Sequence, residues 1–338
     1  MSDTFEYGGG AVAPGETYHG RYAISETFLG EPVRIPLTVV NGEDPGPTVF
    51  LSAAVHGDEL NGVKVLHDVV DRFDPAEIAG TLVCLHVVNV PGYLAQQRYL
   101  PIYDQDLNRA FPGRERSTPA QRIANELFRG VFSHCDYGID FHTSTRGRTT
   151  MFHTRAQLEN RDVARMADAF GANLVMAGIG EEDNSIRSAC TAREIPTITV
   201  EMGEAHRFQP RYVERALAGT ESVLTELGVV DGIRVEPAWR RVVDAKTEKT
   251  WLRADQGGLV DLQAEKRDVL EEGDVVCTVH DHFGTEETDV LAPYRGLIAG
   301  LLRNPVAQPG HPVCHFVRLD EETAAAIRAA DEPFTPVA

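Results

Sequence analysis

The chain has 338 residues, 42% hydrophobic and 25% charged, which suffices to bury a core and excludes a disordered chain. That length suits one large domain, or a catalytic domain with a smaller companion. A formal net charge of −19 argues against nucleic acid and against an anionic membrane surface as partners, because both need a basic patch.

In chain order, Arg21–Ser25 and Val33–Val40 read as strands, with Asn41-Gly42 as a turn. Thr48–Val55 is a continuous apolar run, as expected of a strand buried on both faces of a mostly parallel sheet, and it ends at His56-Gly57. From about Leu60 to Phe73 the spacing of Val63, Leu66, Val69 and Val70 predicts an amphipathic helix. Thr81–Val88 is a second buried strand and Pro119–Phe132 a helix. Tyr137–Phe141 is a strand that ends at His142, and Gln157–Phe170 is helical. Pro196–Val200 is a strand that ends at Glu201, and Tyr212–Leu227 closes the series as a helix. Alternating strands and helices predict an α/β sandwich.

The pattern changes after about Gly232. From Val235 to Val317 it becomes short alternating strands, with turns at Gln256-Gly257-Gly258, Glu272-Gly273-Asp274 and Pro309-Gly310. No helix is expected until Glu321–Ala330. A catalytic α/β domain over 1–231, its first 45 residues β-rich, and an all-β domain over 232–338 are therefore expected, with Asp231-Gly232 as the boundary.

No apolar run is long enough to cross a bilayer as a helix. Met1–Pro14 is acidic and Gly-rich, without the basic and apolar regions of a secretory signal, so the cytoplasm is the expected compartment. Cys84, Cys135, Cys190, Cys277 and Cys314 are far apart and odd in number, which speaks against a disulfide framework or a Cys-based metal site. Lysine is scarce: Lys64, Lys246, Lys249 and Lys266 stand against 28 arginines. Acidity with few lysines is expected of a protein working in high salt, and a GC-rich genome also favours arginine.

Three predicted strands run into a polar group: Val55 before His56, Phe141 before His142, and Val200 before Glu201. Ligands of open α/β sheets bind at the carboxyl ends of the strands. His56 and Glu59 form H-x-x-E at a strand-to-helix turn, and His142 offers a third donor from another strand end. Two histidines and one carboxylate with an open fourth position make a catalytic zinc set. Asp58 is the rival carboxylate, expected to point elsewhere on the turn, and Asp140 is placed to orient a ligand from behind. The polar, Pro-broken segment Gln97–Gly113 suits a functional loop. Its Arg98 and Arg109 offer guanidinium forks for a carboxylate or a developing oxyanion.

Taken together, His56-Gly57-Asp58-Glu59-Leu60-Asn61-Gly62, Arg98-Tyr99-Leu100 followed by Asp106-Leu107-Asn108-Arg109-Ala110-Phe111-Pro112-Gly113, Asp140-Phe141-His142-Thr143-Ser144 and Val200-Glu201-Met202-Gly203-Glu204 resemble the succinylglutamate desuccinylase/aspartoacylase family, which is related to the zinc carboxypeptidases. The resemblance covers about residues 48–205, and the strand-rich tail is similar to the family's C-terminal β domain. It implies a zinc-carboxypeptidase-like three-layer α/β/α sandwich with a mixed, mostly parallel sheet, plus a barrel-sandwich-like β domain. It implies one Zn²⁺ per subunit held by His56, Glu59 and His142, with Glu201 as general base and acid and Glu204 a weaker rival. Arg98 would polarise the scissile carbonyl, Asn108 and Arg109 would grip the substrate's carboxylate, and Arg187 would bind substrate as well. The implied reaction is hydrolysis of the amide bond of a small N-acyl amino acid, with peptide trimming by a carboxypeptidase as the alternative.

Glu272–Val276 and Ala292–Ile298 also resemble the lipoyl and biotinyl carrier domains, which modify a lysine at a hairpin tip. No lysine follows Lys266, so a swinging arm is not expected. The module is expected instead to cap the active site, where Tyr294 or His280 could reach in, or to support a homo-oligomer.

Overall fold

A computed structural model of the chain describes residues 3–101, 104–178 and 183–330, together with the backbone of residues 335–336. The hairpin β1 (Glu16–Glu26) and β2 (Pro32–Asn41) leads into β3 (Asp44–Ala53), α1 (Asn61–Arg72) and β4 (Ala79–Leu85). Then come α2 (Pro119–Gly130), β5 (Tyr137–Ser144), β6 (Arg148–Ala156), α3 (Arg161–Ala169), β7 (Leu174–Ala177), α4 (Ile186–Thr191), β8 (Thr197–Glu204) and α5 (Pro210–Glu226). Strands β4, β3, β5 and β8 lie side by side and parallel at the centre of the sheet. β2 and β1 add antiparallel on one side, and β6 on the other.

Alternation along these strands makes the three layers. Val49, Leu51 and Ala53 of β3 share a core with α1, α3 and α5, while Phe50 shares another with α2 and α4. Side chains two apart fall on the same face of a strand, so one run of apolar residues feeds both cores. Helix starts follow their caps. Asn160 accepts hydrogen bonds from the N–H groups of Asp162 and Val163, so α3 begins at Arg161 rather than at Gln157.

The C-terminal strands are β9 (Arg241–Val243), β10 (Lys249–Arg253), β11 (Gly258–Leu262), β12 (Val275–His280), β13 (Glu287–Leu291), β14 (Gly296–Leu302), β15 (Val306–Ala307) and β16 (Pro312–Arg318), followed by α6 (Glu321–Ala329). β13, β12, β11 and β15 form a four-stranded antiparallel sheet around a core of its own. The remaining strands continue the central sheet: β14 pairs with β6, β16 with β14, and β10 with β16. β9 pairs in parallel with β7. A further apolar cluster, with Met151, Met176, Trp239, Leu297 and Val317, seals this junction. The hydrogen-bonded continuity brings β10 and β16 to the edge of the region where the three chemistry-bearing segments converge.

Candidate metal centre and active site

His56 lies just past the end of β3, and the chain leaving that strand is held tightly. The carbonyls of Ala53 and Ala54 accept hydrogen bonds from the N–H groups of Val88 and Asn89 at 3.0 and 2.9 Å, and Ala54 has φ +52°, sparsely populated for a non-glycine residue. Gly57 donates its N–H to the carbonyl of Arg98, and a Cβ there would lie 2.1 Å from the carbonyl carbon of Gly92. Glycine at this position lets the loop bearing Arg98 close onto the turn. The turn itself is closed by the Glu59 N–H on the His56 carbonyl. His142 and Glu201 lie within β5 and β8 rather than beyond their ends. They are direct neighbours across the parallel pair, so their side chains emerge on the same face.

The donor atoms of His56, Glu59 and His142 fall within 4.8 Å of one another, and all three residues are buried. His56 Nδ1 is 2.8 Å from Glu59 Oε1, His142 Nδ1 is 3.0 Å from Glu59 Oε2, and the two Nδ1 atoms are 3.2 Å apart. The outer nitrogens meet carboxylates: His142 Nε2 lies 2.8 Å from Asp140, and His56 Nε2 lies 3.2 Å from Asp106. A carboxylate behind each ring favours the proton on Nε2, which turns both Nδ1 lone pairs onto one point beside a carboxylate. Acceptors so arranged repel one another unless a cation lies among them. Two imidazole nitrogens and one carboxylate are the donors zinc takes in catalytic sites.

Asp58 stays outside the triad. It is buried, its Oδ2 faces His206 at 3.7 Å, and its Oδ1 has no partner among the described residues. Arg98 reaches the triad directly, with Nη1 donating to Glu59 Oε1 at 2.8 Å. Glu201 meets Arg155, whose Nε donates to Oε1 at 3.1 Å. Glu204 pairs instead with Arg207 at 3.2 Å.

A cavity of about 480 Å³ opens over this face; His56, Glu59 and His142 lie beneath its lining, which includes Arg98 and Thr143, both bonded to Glu59, together with Arg109, Arg155, Glu201 and Trp251. Arg109 is therefore at the cleft. Asn108 is not among the lining residues: it is buried, its Oδ1 accepts from the Ile186 N–H at 2.9 Å, and its Nδ2 lies 3.3 Å from His142 Nε2. Arg187 is bonded to Asp183 and lines a second chamber of about 430 Å³, which shares Arg155, Trp251 and His315 with the first.

The C-terminal strands supply Trp251 and His315 to both chambers, stacked with centroids 4.7 Å apart, and Arg148 lies over the Trp251 ring. Tyr294 and His280 do not line either chamber. Tyr294 is buried in the C-terminal core, and His280 sits beside Glu287. Sequence reasoning missed Asp106, His153, Arg155, Trp251 and His315. The first lies inside a motif already singled out. His153 and Arg155 are two apart, the spacing that puts polar groups on one face of a strand. Trp251 and His315 carried no local signal.

A sequence model of the succinylglutamate desuccinylase/aspartoacylase catalytic domain matches residues 45–227. The N-alpha-acetyl-L-2,4-diaminobutyric acid deacetylase of Halomonas elongata is 25% identical over 276 residues, covering 79% of this chain and 80% of that protein. The succinylglutamate desuccinylase of Pseudomonas paraeruginosa is 27% identical over 193 residues, 52% of this chain and 56% of that one. Among solved structures, the product-bound ectoine utilization protein EutE of Ruegeria pomeroyi superposes with TM-score 0.80 at 22% identity, covering 90% of this chain and 95% of the other. A succinylglutamate desuccinylase/aspartoacylase of Rhodobacter sphaeroides gives TM-score 0.77 at 25% identity, covering 89% and 95%. Matching more than half of its length, the family's catalytic domain places this chain in the succinylglutamate desuccinylase/aspartoacylase family of amide-hydrolysing deacylases.

Proposed function

We propose that the protein is a zinc-dependent deacylase that hydrolyses the amide bond of a small N-acyl amino acid. The convergence of His56 Nδ1, His142 Nδ1 and the Glu59 carboxylate, each histidine backed by its own carboxylate, carries this reading. Those three residues would hold one zinc ion. When bound, zinc lowers the pKa of water towards about 7 and polarises a carbonyl oxygen.

The protein's own groups do the rest. Glu201, opposite His142 on the neighbouring strand, accepts the proton of the attacking water as the oxygen bonds the amide carbon. It then delivers that proton to the nitrogen as the C–N bond breaks, releasing a carboxylic acid and an amine. Arg98 donates to the carbonyl oxygen as negative charge develops there, and one well-placed donor of this kind is worth roughly 3 to 4 kcal/mol. Arg109 takes the amino-acid carboxylate at the cleft. Asn108 supports it from behind by tying Ile186 at the start of α4 to the loop that carries both residues. Arg187 closes the far chamber.

Trp251 and His315 wall the cleft with residues of the C-terminal strands, which favours a small acylated amino acid over a peptide. The relatives support the same class, since the Halomonas elongata protein is named for removing acetyl and the Pseudomonas paraeruginosa one for removing succinyl from an amino acid. The test is a hydrolysis screen of N-acetyl and N-succinyl amino acids on zinc-loaded enzyme, alongside N-blocked dipeptides. Release of free amino acid from at least one N-acyl substrate, faster than from any dipeptide, is expected. Turnover of dipeptides alone would replace this reading with a carboxypeptidase.

A further inference from the structure

Arg155 has no role in the reaction as written above, yet it is the side chain bonded to the proposed proton carrier. It stands on β6 in register with Thr199, while its strand neighbour His153 faces Glu201. Its Nε donates to Glu201 Oε1 at 3.1 Å, and Glu201 has no other hydrogen-bond or ion-pair partner among the described residues. The two Nη groups of Arg155 have no partner among the described residues, and the side chain is 46% exposed. The guanidinium borders both chambers.

An arginine held by Nε keeps its terminal fork available for a planar anion. The surroundings favour one. Among the described residues, Arg98, Arg109, Arg148, Arg155, Arg187 and Lys249 line the two chambers against only Glu201 and Asp183, in a chain whose net charge is −19. Cations gathered in a cleft of an acidic protein focus an attractive potential for anions there. Neither Arg109 nor Lys249 has a carboxylate partner among the described residues. Beside Arg155, the buried His153 gives Nδ1 to the Met151 carbonyl at 2.9 Å and leaves Nε2 without a partner among the described residues. The free fork of Arg155 is thus open to a ligand in the chambers it borders.

We propose that Arg155 couples substrate recognition to proton transfer: its Nη fork shares with Arg109 the carboxylate of the acylated amino acid while its Nε fixes the Glu201 carboxylate. The inference rests on the deacylase reading for its kinetic half and stands on its own for its binding half. Ligand occupancy can be followed without turnover, because Trp251 lines the cleft and Trp239, the other tryptophan, is buried.

The experiment titrates zinc-loaded wild type, Arg155→Ala and Arg155→Lys with N-acetyl-L-alanine and with N-acetyl-L-alaninamide, following tryptophan fluorescence, and measures kcat and KM on the best acid substrate from the screen. Wild type is expected to prefer the acid. Arg155→Ala weakens acid binding roughly tenfold, the size of one lost charge-assisted hydrogen bond, and leaves the amide unchanged. It also lowers kcat, because Glu201 loses its restraint. Arg155→Lys restores charge without the fork and recovers only part of either effect. Equal weakening of acid and amide, no acid preference in wild type, or an unchanged kcat in Arg155→Ala overturns the proposal. A wild type that hydrolyses no N-acyl amino acid yet keeps an Arg155-dependent acid preference would sink the deacylase reading and leave the anion fork standing.

Discussion

At the floor of the cleft every polar side-chain atom of His56, Glu59 and His142 is engaged. The Nε2 atoms meet Asp106 and Asp140, and the Glu59 oxygens meet both histidines, Arg98 and the Thr143 N–H. On the cleft wall, the Nη groups of Arg155 have no partner among the described residues, and the side chains of Trp251 and His315 stack on each other with Arg148 over the indole. The floor is over-determined, as a site that must hold an ion in fixed geometry has to be. The wall is left with unused donors and acceptors, as a surface that must take a ligand has to be. On the proposed reading, the floor holds the metal, the wall selects the substrate, and Arg155 joins the two through Glu201.

That contrast can be broken at several points. The largest effect is expected from His142→Ala, which removes one of three ligands. Elemental analysis should find zinc lost, with activity falling to background, and a full equivalent of retained zinc would show that the floor is not the metal centre. Glu201→Gln should keep its zinc while turnover drops roughly 10²- to 10⁴-fold, the range of a lost general base and acid. Near-normal turnover would remove Glu201 from the mechanism. Asp140→Asn tests the carboxylate behind His142, and a competition titration against a chelator should show zinc affinity reduced roughly 10- to 100-fold. An unchanged affinity would mean the floor is less tightly built than the distances suggest. Trp251→Ala opens the wall alone. Zinc content should be unaltered, while the ratio of dipeptide to N-acyl amino acid kcat/KM rises by roughly tenfold, the size of a lost pocket contact. A loss of zinc there would erase the distinction between floor and wall.

The smallest effect concerns pH. Burial, followed by the charge of Arg155, lowers the pKa of His153 to about 4; burial, with Arg155, His153 and Lys249, lowers that of His315 to about 3. Both bases are harder to protonate folded than unfolded, so the unfolded chain binds more protons as pH falls through about 6.5. Their contribution to stability is complete above that pH and is lost progressively as pH falls towards the folded values. Thermal unfolding at pH 5 should therefore show a lower Tm than at pH 7, and His315→Gln should flatten that dependence. A Tm that rises on acidification would contradict the neutral wall.

Much of this was readable in order of sequence. The apolar run Thr48–Val55 announces a strand buried on both faces because no charged residue interrupts it. The polar groups that follow stand out because nothing in core packing calls for them there. The sequence alone determined the α/β layers, the His56–Glu59 turn, the choice of His142 and Glu201 as polar groups closing apolar strands, and the loop of Arg98 and Arg109. All of these rest on local periodicity or on motifs of a few residues. Only the tertiary structure decided that Asp106 backs His56, that Asn108 turns away from the cleft to hold Ile186, and that Arg155 meets Glu201. It alone also decided that the C-terminal strands continue the central sheet through β14 and β6, delivering Trp251 and His315 to a site that also takes Arg98, Arg155 and Glu201. The reason is physical. A strand's face is written in its own alternation, but the strand beside it is chosen by long-range pairing and by the fit of apolar faces such as Met151 against Leu297, which no local pattern encodes.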